Sequence, residues 1–422
     1  MSDLRYVLTE YKDGVLSFIY NAKTNKSEAV YFSHSKENNK EAAIGDIFVA
    51  KVLNVANQIH AAFLDYAPNK KGYLPLDSGY TPIITNRRYD GRILAGDEIL
   101  VQLEKEAVRS KEPVFTVNLS LAGKYSVVSY ANSHKGVSNK CSKQEKEQLR
   151  AAIPQDIDYG VVVRTSAASL LRTENVRTQN VLQPVTDEIA CLRDRLSTLI
   201  QEGIHRTCYS CIWQSPPGYL TNMRDEGSVY QQIVTDSPSL YEEITSFMSL
   251  YMPEQLSAVT QYRDENYPLQ KLYRVETQLE ELLSTKVWLK SGAYLVIEKT
   301  EAMYVIDVNS GKNITQKNNA EYVYKINMEA AAEIMRQIRL RNLSGMILID
   351  FINMEDPQKD AALLQELRML AKKDRILTDI VDITALGLVE ITRKKTTKSL
   401  YEQLNTNRNP KIQIMEKNVQ IS

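Results

Sequence analysis

Two short apolar runs limit what this chain can fold into more than any other part of it. Tyr294 to Lys312 reads YLVIEKTEAMYVIDVNSGK, and Met346 to Glu355 reads MILIDFINME. Each contains a β-branched run that ends on one carboxylate, Asp307 in YVIDVNSGK and Asp350 in MILIDFI. A continuous apolar run of about four to eight residues is the pattern of a buried strand. An Asp closing such a strand is aimed outward at the sheet edge, where binding and catalytic groups concentrate. If the two strands are neighbours, two carboxylates converge. Hard oxygen donors without nearby Cys or His suit Mg2+ or Mn2+ rather than zinc. Either Asp alone reads equally well as the cap of the next turn. The pair, with Asn309 two residues past Asp307, favours a metal site.

The 422 residues are enough for about two to four domains. Hydrophobic residues make up 43% and charged residues 25%, which leaves ample material for a core. Lys plus Arg and Asp plus Glu stand at 52 each. That balance argues against a protein that coats nucleic acid non-specifically, but allows a local basic groove. MSDLRYVLTEYKDG has no apolar signal segment, and no run approaches the length of a membrane helix. With four cysteines, a disulfide scaffold is not expected and a reducing, cytoplasmic location is.

In chain order, RYVLTEY and GVLSFIYN read as strands of a hairpin around Lys12-Asp13-Gly14. SHSKENNKEA reads as a linker. From Ala43 to about Leu121 the texture is all-β, and a small barrel of the OB type is the natural architecture. In EILVQLE, Ile99, Val101 and Leu103 fall on one face. His60, Phe63, Tyr73, Lys105 and Lys111 fit a face that stacks bases and holds phosphates, a stacked base being worth ~1–3 kcal/mol. Read from AAFLDY alone, the two rings belong in the core. A helical stretch (Lys140 to Ile153) precedes YGVVVRTSAASL, whose apolar run delivers Arg164 and Thr165 to its end. An Arg beside a hydroxyl grips a phosphate well; a surface Arg after a strand is the plainer reading.

Thr173 to Gly203 reads as one helix with Val185, Ile189, Leu192, Leu196 and Leu199 inward. Cys208 and Cys211 in CYSCIW read as strand residues on opposite faces, not as half of a zinc site. SVYQQIV and SLYEEITSFMSLYM read as helical. KVWLKSGAYLVIEKTEAMYVIDVN reads as three strands with tight turns. A helix is predicted from Asn318, its cap, to Arg341, with Val323, Ile326, Ala330, Ile334 and Ile338 buried and Arg336, Arg339 and Arg341 at its C-terminal turn. A second helix (Gln358 to Lys372), the strand ILTDIVDIT, a basic run from Arg393 to Lys398 and a polar tail complete the chain. The basic run reads equally as a solvated turn or as a contact to an RNA backbone.

YVIDVNSGK, the helix ending IRLRNLSG, and MILIDFINM resemble the catalytic core of the ribonuclease E / ribonuclease G family, in the same order and spacing. The resemblance extends from about Asp46 to Lys395. It implies an α+β multidomain fold: an RNase H-like subdomain (1–36 and 213–275), an inserted OB-fold RNA-binding domain (37–121), a 5′-phosphate sensor region (122–212), a DNase I-like α/β catalytic subdomain (276–402) and a tail (403–422). The implied activity is Mg2+-dependent (or Mn2+-dependent) endoribonuclease cleavage of single-stranded RNA to 5′-phosphate and 3′-hydroxyl ends, in RNA processing and decay. By resemblance, Asp307 and Asp350 hold the metal and Asn309 joins them in catalysis. Phe63 and Tyr73 form a base pocket, with Lys105 and Lys111 along the RNA channel. Arg164 and Thr165 bind a 5′-monophosphate, with Gly123 and Val127 contributing through the backbone.

The chain departs from the family pattern at Asn139 and Lys140, where relatives carry two arginines, and at Ala385, where relatives often have Arg. It has no Cys after Cys211, so zinc and a zinc-linked dimer are not expected, although a homodimer of another kind is compatible with the sequence. The alternative reading is a non-catalytic RNA-binding protein that uses the barrel alone. A phosphodiesterase acting on DNA or a small molecule is the other alternative.

Overall fold

The computed structural model describes residues 3–34, 42–76, 79–107, 111–171, 181–264, 266–311 and 320–405. The chain forms two compact units. One comprises Met1–His34, Tyr230–Glu243 and Ser257–Ser422, and the other Ser35–Val229 and Ile244–Leu256. No helix among the described residues is long and apolar enough to cross a membrane.

The first strands are β1 (Leu4–Tyr11), β2 (Gly14–Asn21) and β3 (Lys26–His34). Tyr11 pairs with Gly14 across a two-residue turn in which Lys12 takes a φ of 53°, the positive φ that tight hairpins need. Most of the expected linker lies outside the described residues. Next come β4 (Ile47–Ala56), β5 (Ala61–Ala67), β6 (Lys70–Pro75), β7 (Glu98–Lys105) and β8 (Val114–Thr116). β4 pairs with β5, β5 with β6, β6 with β8, β8 with β7, and β7 with β4 again. This closed five-stranded barrel is consistent with an OB-fold. Ile99, Val101 and Leu103 fill it, as their alternation predicts. The opposite face of β7 is covered too, because Leu100 joins a second core with Ile47 and Val49.

That second core lies under the sheet β11-β12-β10-β9, formed by β9 (Ser120–Ala122), β10 (Ser126–Ser129), β11 (Lys135–Val137) and β12 (Gly160–Val163). The first predicted helix is shorter than expected, Lys143–Arg150, because the Ser142 side chain and Glu145 form a capping box that fixes its start. The long helix is described over Gln183–Gly203; its predicted start at Thr173 falls outside the described residues. Its buried stripe is Val185, Ile189, Leu192, Leu196 and Ile200, the last replacing the half-buried Leu199. The strand expected through CYSCIW is only β13 (Cys211–Trp213), paired to β4, so Cys208 lies outside it.

β14 (Gln232–Thr235) and β15 (Val259–Gln261) complete the sheet β15-β14-β1-β2-β3. The helical reading of SVYQQIV is therefore corrected. Ile233 and Val234 are β-branched and lie between two parallel neighbours, with Tyr6 and Val7 opposite them. Burial on a sheet overrides a weak helical pattern. SLYEEITSFMSLYM does contain a helix, Pro238–Tyr251.

The last sheet runs β16-β17-β18-β19-β21-β20. Its strands are β16 (Lys286–Trp288), β17 (Tyr294–Lys299), β18 (Met303–Asn309), β19 (Gly345–Asp350), β20 (Thr378–Ile383) and β21 (Leu388–Arg393). β18 and β19 are parallel, joined through the helix Ala320–Leu340. The predicted stripe Val323, Ile326, Ala330, Ile334 and Ile338 is buried as expected, while the predicted cap Asn318 lies outside the described residues. With the helix Pro357–Ala371 it covers one face of the sheet, over Ile306, Val308, Ile347, Ile349, Val389 and Ile391.

Candidate active site

Alternation along β18 and β19 decides where the carboxylates go. Tyr304, Ile306 and Val308 are buried under the helices, so Asp307 and Asn309 must point to the other face. Ile347 and Ile349 do the same for Asp350. The parallel register then makes Asp307 and Asp350 Cα partners, side by side at about the 4.8 Å spacing of neighbouring strands. Both side chains are exposed. The Asn309 Nδ2 donates to Asp307 Oδ2 at 2.6 Å, which fixes that carboxylate's rotamer. Beyond the strand, Gly311 takes a φ of 72°, and a Cβ there would sit 2.4 Å from the Gly292 carbonyl oxygen. The turn that follows the site thus requires glycine.

Asn327 is part of the site's support, and periodicity misses it. It lies fully buried in the apolar stripe of the helix Ala320–Leu340. Its Nδ2 donates to the Ile352 carbonyl at 2.7 Å, and its Oδ1 accepts from the Ile352 N–H at 3.2 Å. A helix thereby grips the backbone two residues past Asp350. The one sequence signal is an amide in an otherwise apolar stripe.

The donor set suits one kind of ion. Among the described residues, no group of three or more His, Cys, Asp or Glu side chains could hold a metal. Two exposed carboxylates with open space beside them match an octahedral ion that keeps several waters and takes further oxygens from a phosphate. They do not match the closed four-ligand shell of structural zinc.

The arginines singled out in the sequence are structural and lie at the far end of the strands, Arg393 opposite Gly345 whereas Asp350 is opposite Leu388. Arg393 is buried, with Nε at 2.7 Å from Asp374 Oδ2 and Nη1 at 2.7 Å from Asn342 Oδ1. Burial pushes the Asp374 carboxyl up, but Arg393, the Ile376 N–H and the Thr378 hydroxyl outweigh it and hold it below the usual range. The RNA-contact reading of the basic run is thus corrected at Arg393, while Lys394 and Lys395 are exposed. Arg341 is also buried, and donates to Gln337 Oε1 and the carbonyls of Ser284 and Glu281, at the C-terminus of the helix Val275–Leu283. Arg336 bonds Glu333 and the Ser27 carbonyl.

In the other unit the barrel strands bring further predicted residues into one row. Phe63 is the Cα partner of Tyr73, Tyr73 of Val114, and Val114 of Lys105. Both rings are half-buried on the barrel's exterior, not in the core that AAFLDY alone suggests, because Leu64 and Leu74 take the inward positions. Their centroids lie 5.8 Å apart, edge to face. Lys111 is exposed but stands outside this row, and His60 sits in a turn with a φ of 46°.

Gly123, Val127, Arg164 and Thr165 also come together. Arg164 follows β12, and Val127 on β10 faces Val162 across the ladder. Arg164 Nη1 donates to the Gly123 carbonyl at 2.7 Å and to Asp225 Oδ1 at 2.8 Å. Burial pushes the Asp225 carboxyl up, but Arg224 and Arg164 outweigh it and hold it low. Thr165 Oγ1 donates to Ser138 Oγ at 3.1 Å. Gly123 leaves room for the Glu188 carboxylate, which a Cβ would meet at 2.3 Å. Glu188 in turn accepts from the N–H groups of Lys124, Tyr125 and Ser126, and burial raises its pKa. The Arg164 guanidinium thus already holds one anion, the Asp225 carboxylate.

A closed barrel in one unit, and in the other a sheet with two carboxylates side by side on its exposed face, define a multidomain protein of mixed α/β class. Comparison with known proteins gives the family. Residues 120–396 match the model of the Ribonuclease E/G family. The chain is 30% identical over 381 residues to Ribonuclease G of Escherichia coli, covering 87% of this chain and 76% of that protein. It is 30% identical over 370 residues to Ribonuclease E of Nostoc sp., covering 85% and 52%, and 31% identical over 378 residues to Ribonuclease E of Synechocystis sp., covering 85% and 53%. The chain belongs to the Ribonuclease E/G family.

Proposed function

We propose that this chain hydrolyses single-stranded RNA internally, leaving 5′-phosphate and 3′-hydroxyl ends, with Asp307 and Asp350 as the ligands of Mg2+ or Mn2+. Family membership makes it an endoribonuclease of RNA processing and decay. The observation that carries the metal assignment is the register pairing of Asp307 with Asp350. When bound there, a hard divalent ion supplies Lewis-acid stabilisation of a phosphoryl oxygen and a more acidic water. The chain's own residues do the rest. Asn309 holds Asp307 in one rotamer. Asn327 fixes the backbone beyond Asp350. Apolar packing beneath the sheet keeps both strands rigid, which catalytic precision requires.

Three further assignments belong to the same reading. The row Phe63, Tyr73 and Lys105, with Lys111 nearby, holds unpaired bases and phosphates, and stacking on a ring demands a single strand. Arg164 and Thr165, beside Gly123 and Val127, receive a 5′-monophosphate in exchange for Asp225. The sheet β15-β14-β1-β2-β3 forms the RNase H-like subdomain, and the six-stranded sheet with its helices the DNase I-like one. The protein works in the cytoplasm.

The test is a digest of matched single-stranded RNA and DNA oligomers, with and without Mg2+, the RNAs carrying either a 5′-phosphate or a 5′-hydroxyl. Internal cleavage of RNA alone, only with metal and faster on the 5′-phosphate form, is expected. An Arg164→Ala variant is expected to equalise the two RNAs. Binding without cleavage under all conditions would leave a barrel-based RNA-binding protein instead.

A further inference from the structure

The free face of the catalytic sheet carries more than carboxylates. Trp288 on β16 is the Cα partner of Tyr294 on β17, and Tyr294 is the partner of Asn309. One row thus runs Trp288, Tyr294, Asn309. The adjacent row runs Lys286, Val296, Asp307, Asp350. Residues paired in register point to the same face, so the two rings and Lys286 share a surface with the proposed metal ligands.

Trp288 is 64% exposed, the largest ring a side chain offers left mostly in water. The two ring centroids lie 5.2 Å apart. Lys286 Nζ lies 4.2 Å from the Trp288 ring centre and 3.7 Å from that of Tyr294. Among the described residues no carboxylate pairs with Lys286. A cation held by two π faces keeps its charge available to a phosphate.

We propose that Trp288, Tyr294 and Lys286 form a stacking subsite for an unpaired base of the RNA, next to the nucleotide whose phosphate meets Asp307 and Asp350. The inference rests on the RNA-cleaving reading above. β16 lies two strand spacings from β18, about 10 Å. An RNA whose phosphate sits at the carboxylates and whose chain runs across the sheet brings a neighbouring base over Trp288. The rings supply a sequence-tolerant platform, and Lys286 neutralises the phosphate of the stacked nucleotide. A second protein would need a broad apolar patch, whereas this face alternates rings with Glu298, Asp307 and Asp350. That chemistry favours a polyanion carrying aromatic bases.

Two measurements test it. The chain has two tryptophans, so Trp213→Phe leaves Trp288 as the only indole. With metal chelated, single-stranded RNA is titrated against its fluorescence, and saturable quenching is expected whether or not the protein cuts. In steady-state cleavage, Trp288→Ala is expected to raise KM about 5- to 100-fold with kcat little changed, while Trp288→Phe retains most of the affinity. An unchanged KM together with no quenching, in a protein that still cuts RNA and loses cutting on Asp307→Asn, overturns the subsite and leaves the nuclease reading intact. Quenching by RNA in a protein that never cuts supports the subsite and removes that reading. A Trp288 emission that shifts with protein concentration and ignores RNA assigns the face to a second copy of the chain and also overturns the proposal.

Discussion

At the residue scale the proposed site consists of two carboxylates of like charge held side by side. Among the described residues neither has a cationic partner; their near neighbours in register are Val296 and Leu388. Asp307→Asn keeps the shape, and the new amide still bonds Asn309, but it removes half of the charge that attracts a divalent ion. The loss of several kcal/mol of electrostatic stabilisation corresponds to a fall in kcat of roughly 10²- to 10³-fold. Binding of RNA in the presence of a chelator should not change. Gel-shift titration beside a cleavage assay checks both halves, and cleavage at the wild-type rate would remove the metal assignment. The two aspartates were legible as strand-end acids because each closes an apolar run. That they pair in register was not, since register depends on how a helix returns the chain to the sheet. Arg393 shows the limit from the other side. Its charge placed it in a basic run, but nothing local reveals that Asp374, nineteen positions upstream, captures it. Breaking such a buried pair costs about 3–5 kcal/mol.

At the element scale, most strands bounded by glycine or turn residues are legible in the sequence, and the exceptions fall where tertiary context decides. The β-branched Ile233 and Val234 of SVYQQIV hint at a strand, but the two parallel neighbours that make it one are far away in sequence. The strand β21 sits between β19 and β20 although it follows both in sequence, an order that no pattern of periodicity encodes. Helix ends depend on caps, and one of these gives a pH-dependent prediction. Ser399 and Glu402 form a capping box on the helix Leu400–Leu404. Lys299 at the end of β17 bonds Glu402 at 2.6 Å. Burial pushes the Glu402 carboxyl up, but Lys299, the Ser399 N–H and Lys395 outweigh it and hold it at about 2, against an ordinary 4.5. A carboxylate whose pKa is lowered on folding adds stability above its unfolded pKa, and that stability is lost as pH falls from 4.5 through about 2. Glu402→Gln keeps an acceptor for the Ser399 N–H but removes the charge that faces Lys299, so it should lower the unfolding free energy at neutral pH by up to about 1 kcal/mol, read from the urea midpoint. The difference from wild type should narrow steadily between pH 4.5 and 2. A difference independent of pH would show that the carboxylate's charge plays no part.

At the scale of the whole molecule, the proposed metal binding is expected to be separate from folding. The carboxylates stand on the free face of a sheet whose other face is closed by two helices over a continuous apolar core. None of that core touches the proposed ligands' charge. Small metal-built domains behave differently, because there the ligands replace a core and chelation unfolds the chain. Here an ion bound at the proposed site would relieve the repulsion between two neighbouring acids and add only its own binding free energy. At a free ion concentration ten times its dissociation constant, that is RT ln 11, about 1.4 kcal/mol. Spread over a chain of this size, it corresponds to a rise in Tm of at most about 2–4 °C. Calorimetry with a chelator and with Mg2+ should therefore give two transitions of nearly equal enthalpy, while cleavage is present in one sample and absent in the other. Asp307→Asn should abolish even the small Mg2+-dependent shift. Loss of the cooperative transition on chelation would mean that the ion is structural and bound somewhere other than between Asp307 and Asp350.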